Sequence, residues 1–217
     1  MKIAPSFMLG SLLATTAPAA VISHTFISGT PVPDNNPIGL ADTRTLATGL
    51  DTLLHLTVTL ELTQGWNGDL YAYLQHGPGF TVLLNRIGRT AQYLLGSGTS
   101  GMNVTFSADA IQDIHLGLPT AGLLSGVFQP DGRTADPDLV LDSSPRAEGF
   151  SLFTGLSPDG DWTLFIADMA AGETSTLRSW TLEITAVPEP STAWLMTALG
   201  RGFIRRRRLE RRLPCRR

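Results

Sequence analysis

Leu54-His55-Leu56-Thr57-Val58-Thr59-Leu60-Glu61-Leu62 decides the fold class. Leu54, Leu56, Val58, Leu60 and Leu62 alternate with His55, Thr57, Thr59 and Glu61. Successive side chains of an extended chain point to opposite faces, so this segment has one apolar and one polar face. A helix would spread the same five apolar side chains around its circumference. Working outward, the turn residues Gly65-Trp66-Asn67-Gly68 follow, then a β-rich run at 69–75, a Gly77-Pro78-Gly79 turn and a second run at 80–84. That order reads as a hairpin. Further on, Trp162, Leu164 and Ile166 alternate with Thr163, Phe165 and Ala167, and Trp180, Leu182 and Ile184 with Thr181, Glu183 and Thr185. A polar loop at 168–176 lies between them.

No long helical period occurs in the body, although residues 108–115 leave room for one or two helical turns. No internal repeat is found, and two loops are long, at 88–103 and 131–150. Short strands, frequent turns and no βαβ rhythm predict an all-β, antiparallel jelly-roll β-sandwich. Trp162 and Trp180 are expected to point inward and to carry much of the core. Asp69 and Asp168, at the ends of runs, are expected to fix turns through side-chain-to-backbone bonds.

Charge divides the 217 residues into blocks. From Val21 to Ala186, six arginines face seventeen carboxylates, a net of −11. From Arg201 to Arg217, nine arginines face one glutamate, a net of +8. An acidic body with no lysine repels a phosphate backbone, which argues against nucleic acid as a partner; the basic tail could bind it, but its position behind an apolar stretch points to a sorting role. Cys215 is the only cysteine, so the body holds neither a disulfide nor a thiolate metal site.

Both ends read as processing segments. Lys2, an apolar run through Phe7, Leu9, Leu12 and Leu13, and small residues at Ala17-Pro18-Ala19-Ala20 form a secretory signal peptide over 1–20. The apolar run is too short for a permanent anchor. A β-sandwich body spans 21–186. Residues 187–208 hold a Pro-rich hinge, an apolar segment and an arginine cluster, and 209–217 form a basic tail. The cluster Arg205, Arg206, Arg207 and Arg208 is expected to stay cytoplasmic by the positive-inside rule. The segment would associate with the membrane transiently.

Pro188-Glu189-Pro190, the following Ser191-Thr192 and the arginine cluster resemble the PEP-CTERM sorting signal. The resemblance implies cleavage by an exosortase and export across the inner membrane of a Gram-negative bacterium to the cell surface or the extracellular, biofilm matrix. Two features depart from the pattern. The apolar segment has about a dozen residues where a spanning helix needs about 20, and Arg201 interrupts it. Either Arg201 snorkels to the interface or the signal has decayed.

Within the body, Asn67-Gly68-Asp69-Leu70, Tyr73-Leu74 and residues 81–86 resemble the first hairpin of the P domain (Homo B domain) of proprotein convertases. Residues 126–132, Phe153-Thr154-Gly155-Leu156, Gly160-Asp161-Trp162-Thr163-Leu164 and Ser179-Trp180 extend the likeness across 26–185. The resemblance implies a jelly-roll sandwich. In convertases that domain follows a subtilisin-like protease and stabilises it; no protease precedes it here, so the role does not transfer directly.

No catalytic constellation is legible. None of His24, His55, His76 and His115 has a partner at ligand-like helical spacing, and His55 and His76 read as surface side chains. Gly98-Thr99-Ser100-Gly101-Met102 resembles a protease serine motif superficially but lacks its companions, and reads as a flexible Gly/Ser loop. Acidic loops supply candidate calcium ligands at Asp168 and Glu173, then Asp136 and Asp138. The alternative is a solvated acidic surface with Asx turns, and no cofactor is required. Trp66, in a turn, is the candidate ligand-binding aromatic, with Tyr71, Tyr73 and Phe80 as companions. The expected function is a non-catalytic, exosortase-processed surface or matrix protein. Exosortase and an extracellular polysaccharide or surface protein are its expected partners. The alternatives are a carbohydrate-binding module or an accessory of a secreted protease system.

Overall fold

The computed structural model describes residues 18–188 other than Gly117, Thr120 and Glu148. Residues 1–17 of the signal segment and the sorting residues Glu189, Pro190 and Arg205–Arg208 lie outside the described residues, whereas Pro188 ends the last strand.

Two sheets stack face to face. The five-stranded sheet runs in the order β1 (Ala20–Pro31), β9 (Thr176–Pro188), β3 (Leu50–Trp66), β6 (Ser100–Ser107) and β7 (Leu124–Phe128). The four-stranded sheet runs β2 (Asn36–Leu46), β8 (Gly160–Asp168), β4 (Leu70–His76) and β5 (Gly79–Asn85). This is the all-β sandwich that the alternation predicts, and the hairpin at 69–84 is β4 paired with β5. The two late strands fall in opposite sheets. Trp162 on β8 and Trp180 on β9 are both fully buried. Their indole N–H groups are satisfied, Trp162 by the Pro158 carbonyl at 2.9 Å and Trp180 by the Asp42 carboxylate at 3.2 Å.

Three sequence expectations change. First, Leu54 does not join the core: it is 45% exposed, while Leu53 is fully buried. The β3–β9 register slips between Leu53 and His55, a bulge that reverses the faces. Regular alternation toward the core begins at Leu56. Second, one strand pair is not antiparallel: β6 and β7 run parallel. The connection over 108–123 is long enough for the crossover such a pair needs. It holds no helix at 108–115; Asp113 instead bridges to Gln129. Third, Asp69 does not fix the 66–70 turn by its side chain. Asn67 holds it, donating from Nδ2 to Thr99 Oγ1 and to the Gly101 carbonyl at 2.8 Å each.

β5 is buried on both faces, Val82, Leu83 and Leu84 alike. The loop over 131–150 covers it, beginning where the Asp131 and Gly132 N–H groups donate to the Leu83 and Val82 carbonyls. That loop therefore protects an edge strand.

Candidate functional site

Asp168 ends β8 with no solvent exposure. Its Oδ1 accepts from the Ala170 N–H at 3.2 Å, the turn-fixing bond expected of it. Its Oδ2 is buried with no donor among the described residues. Burial pushes this carboxyl up to about 6, and the nearby carboxylates of Asp69 and Asp34 push the same way, against the Ala170 bond and Arg86. Asp69 stands beside it and is nearly buried; burial raises its carboxyl too, opposed by Arg86, whose Nη2 lies 3.4 Å away. Asp34, exposed in the β1–β2 loop, accepts from the Gly172 N–H at 3.1 Å. The backbone ties the same corner together, since the Met169 N–H donates to the Asp69 carbonyl.

The other proposed ligands are placed differently. Glu173 is exposed in the 169–175 loop. Asp136 accepts from the Asp138 N–H at 2.9 Å, an Asx turn. Asp138 faces Arg86 Nη1 at 3.6 Å, so Arg86 sits between Asp138 and Asp69. Among the described residues no three His, Cys, Asp or Glu side chains form a ready-made metal cluster.

The sequence reading missed a buried ion network beneath the 131–150 loop. The Asp131 carboxylate, with no exposure, accepts from His115 Nδ1 at 2.9 Å, Arg133 Nη1 at 3.0 Å and the Asn85 N–H at 3.2 Å. Arg133 also donates to both oxygens of Asp113, at 2.9 and 3.3 Å, and to the Asp142 carbonyl at 3.0 Å. Arg146 reaches the Asp131 and Pro130 carbonyls, and Arg89 those of Pro137 and Asp138. Scarcity of cations was the available signal. Four of the body's six arginines lie here or beside it, at 86, 89, 133 and 146.

The imidazoles are occupied. His115 Nε2 lies 3.1 Å from the Arg89 carbonyl and Nδ1 2.9 Å from Asp131. It borders a cavity of about 340 Å³ that is also lined by Thr90, Tyr93, Ser97 and Leu116. His76, expected on the surface, is 6% exposed. Its pairing with Trp162 across β4 and β8 stacks the two rings at 4.0 Å, and both nitrogens face carbonyls, of Asp161 and Ser157. His55 stays on the outer face, 2.9 Å from Asp109. The Gly98–Met102 segment does not form an open loop: Thr99 is buried in the Asn67 clasp and Ser100 begins β6.

Tyr71, Tyr73 and Phe80 gather as half-buried rings on the outer face of the four-stranded sheet, joined by Phe165. Tyr73 lies 4.8 Å from Phe165, nearly parallel, and 5.0 Å from Phe80. Tyr71 meets Tyr73 and Phe165 edge to face, at 6.1 and 6.4 Å. Trp66 lies apart at the end of β3 in the other sheet, 45% exposed. Gly172 packs against its six-membered ring so closely that a Cβ would stand 2.7 Å from Cζ3.

No family model and no curated protein matches the chain. Among solved structures it is similar to the crystal structure of the Aeromonas sobria serine protease in complex with the chaperone ORF2. The identity is 15% and the TM-score 0.44, over 80% of this chain and 28% of that one. The chain thus spans little more than a quarter of that neighbour's length.

Proposed function

We propose that this chain is an exported surface or extracellular-matrix protein, in which a non-catalytic β-sandwich serves as an interaction domain and an exosortase processes the C-terminal segment. The observation that carries it is the order along the sequence: signal segment, sandwich, Pro188-Glu189-Pro190, apolar segment, Arg205 to Arg208. The fold is compatible with that order, because β1 starts at Ala20 and β9 runs through Pro188. The strands reach one residue into the signal segment, at Ala20, and two into the sorting segment, at Val187 and Pro188.

Expression of the full-length chain in hosts with and without an exosortase tests the sorting step by intact mass and location. A shorter, released form only where the enzyme is present is the expected result; the same mass and location in both hosts rejects it.

Polysaccharide is the ligand class that Trp66 favours. An exposed indole at a loop corner can lie on a sugar ring, and Trp66 is 45% exposed where Tyr73 and Phe165 are half-buried. On a glycan array, binding by wild type that Trp66→Ala removes and Tyr73→Ala retains supports this reading. No binding by the wild type counts against it.

A further inference from the structure

We propose that Asp168, Asp69 and Asp34 form a weak calcium site where the end of β8 meets the β1–β2 loop. Asp168 anchors it. The residue has no solvent exposure, and its Oδ2 has no hydrogen-bond donor among the described residues. A buried anionic oxygen without a partner is costly, and a cation removes that cost. Two further carboxylates converge on the same corner. Asp69 is joined through its backbone to Met169, and Asp34 through its carboxylate to Gly172. Both flank the turn that Asp168 opens.

The local counter-charge falls short. Arg86 is the cation at this corner; it stands 3.4 Å from Asp69, a long contact, and is shared with Asp138 at 3.6 Å. Its Nε is committed to the Gly68 carbonyl at 3.1 Å. Three carboxylates against one shared guanidinium leave an excess of negative charge centred on the side chain with the least access to water.

The chemistry of the donors selects the ion. All are hard oxygens, which suit calcium or magnesium and not a thiophilic metal. Magnesium demands near-ideal octahedral geometry at short distances, whereas calcium accepts irregular sets of six to eight oxygens with water among them. The three carboxylates are not gathered into a tight cluster, and Asp34 is on an exposed loop. Those features place the affinity in the weak range of extracellular modules, about 0.1–1 mM. Glu173, an exposed neighbour in the same loop, is not required.

Trp66 supplies a reporter, because its ring packs on Gly172, whose N–H holds Asp34. Terbium, a luminescent substitute for calcium, should be sensitised by this indole. In the full-length chain at pH 7.5, calcium at about ten times its dissociation constant should raise the melting temperature by about 2–5 °C over chelator. Equal magnesium should do less. Terbium emission should appear and be displaced by calcium. Asp168→Asn keeps an acceptor for the Ala170 N–H and should lose both signals, and Asp34→Asn should weaken binding several-fold without touching the core. Glu173→Gln should behave as wild type. No calcium-dependent shift up to about 10 mM, or the same shift and emission in both Asp168→Asn and Asp34→Asn, overturns the proposal.

Discussion

Replacing Arg133 with Met tests whether the buried ion network holds the 131–150 loop to the sandwich. The guanidinium side chain is only 3% exposed and makes contacts of 2.9, 3.3 and 3.0 Å to the Asp113 and Asp131 carboxylates. Methionine fills much of the volume but leaves those carboxylates facing one cation fewer. Removing one partner from a buried pair costs about 3–5 kcal/mol, of which the added apolar burial returns about 1 kcal/mol. A net loss of about 3 kcal/mol should lower the urea midpoint by about 1.5 M for a slope near 2 kcal/mol/M. The double variant Arg133→Met/Asp113→Asn removes one stranded charge, so it should be less destabilised than the sum of the single changes by about 1–3 kcal/mol. The pH dependence adds a second check. Burial pushes the Asp113 carboxyl up, but Arg133, the His115 N–H and Arg146 outweigh it and hold the carboxyl below its usual value. A depressed carboxylate stabilises the fold above its unfolded value, and that contribution is lost as pH falls through the folded one. Without Arg133 the burial effect prevails and this contribution disappears. The deficit of the variant should therefore be largest near pH 7 and shrink toward about pH 3. A loss under about 1 kcal/mol, an additive double variant, or a deficit independent of pH would refute the reasoning.

Two further contrasts bear on the backbone. Gly65 has φ +62°, and a Cβ there would overlap Ser175, whereas Gly49 has φ +68° with nothing near it. Gly65→Ala should cost more than about 2 kcal/mol and Gly49→Ala about 1 kcal/mol, as read from denaturant midpoints. At the bulge, Leu53→Ala should cost about 2–5 kcal/mol and Leu54→Ala under about 1 kcal/mol; equal losses would place the register slip elsewhere.

Leu53 and Leu54 mark where the sequence stops being informative. Period-two alternation shows that a strand exists and which residue types share a face. Two adjacent leucines carry no mark of which one turns inward, because that depends on where β9 pairs with β3. The hairpin and both core tryptophans were legible for the opposite reason: their signals are local. The parallel β6–β7 pair was hidden because pairing direction is set by the path of 108–123, which has no periodicity of its own. At the acidic corner, Asp168 stood out by its place at a strand end. Asp34 and Asp69 could not be assigned to it, since only the meeting of the β1–β2 loop with the end of β8 joins them. His76 read as a surface side chain because its neighbours are turn residues, and the ring of Trp162 that covers it comes from another strand.

β9 lies between β1 and β3 although it follows both by more than a hundred positions along the polypeptide. β1 has no neighbour, and β3 has only β6, until the segment ending at Pro188 is present. A ribosome delivers residues in order, so the larger layer has to wait for the end of the body to emerge. The interval before that strand arrives is the moment of greatest risk of self-association.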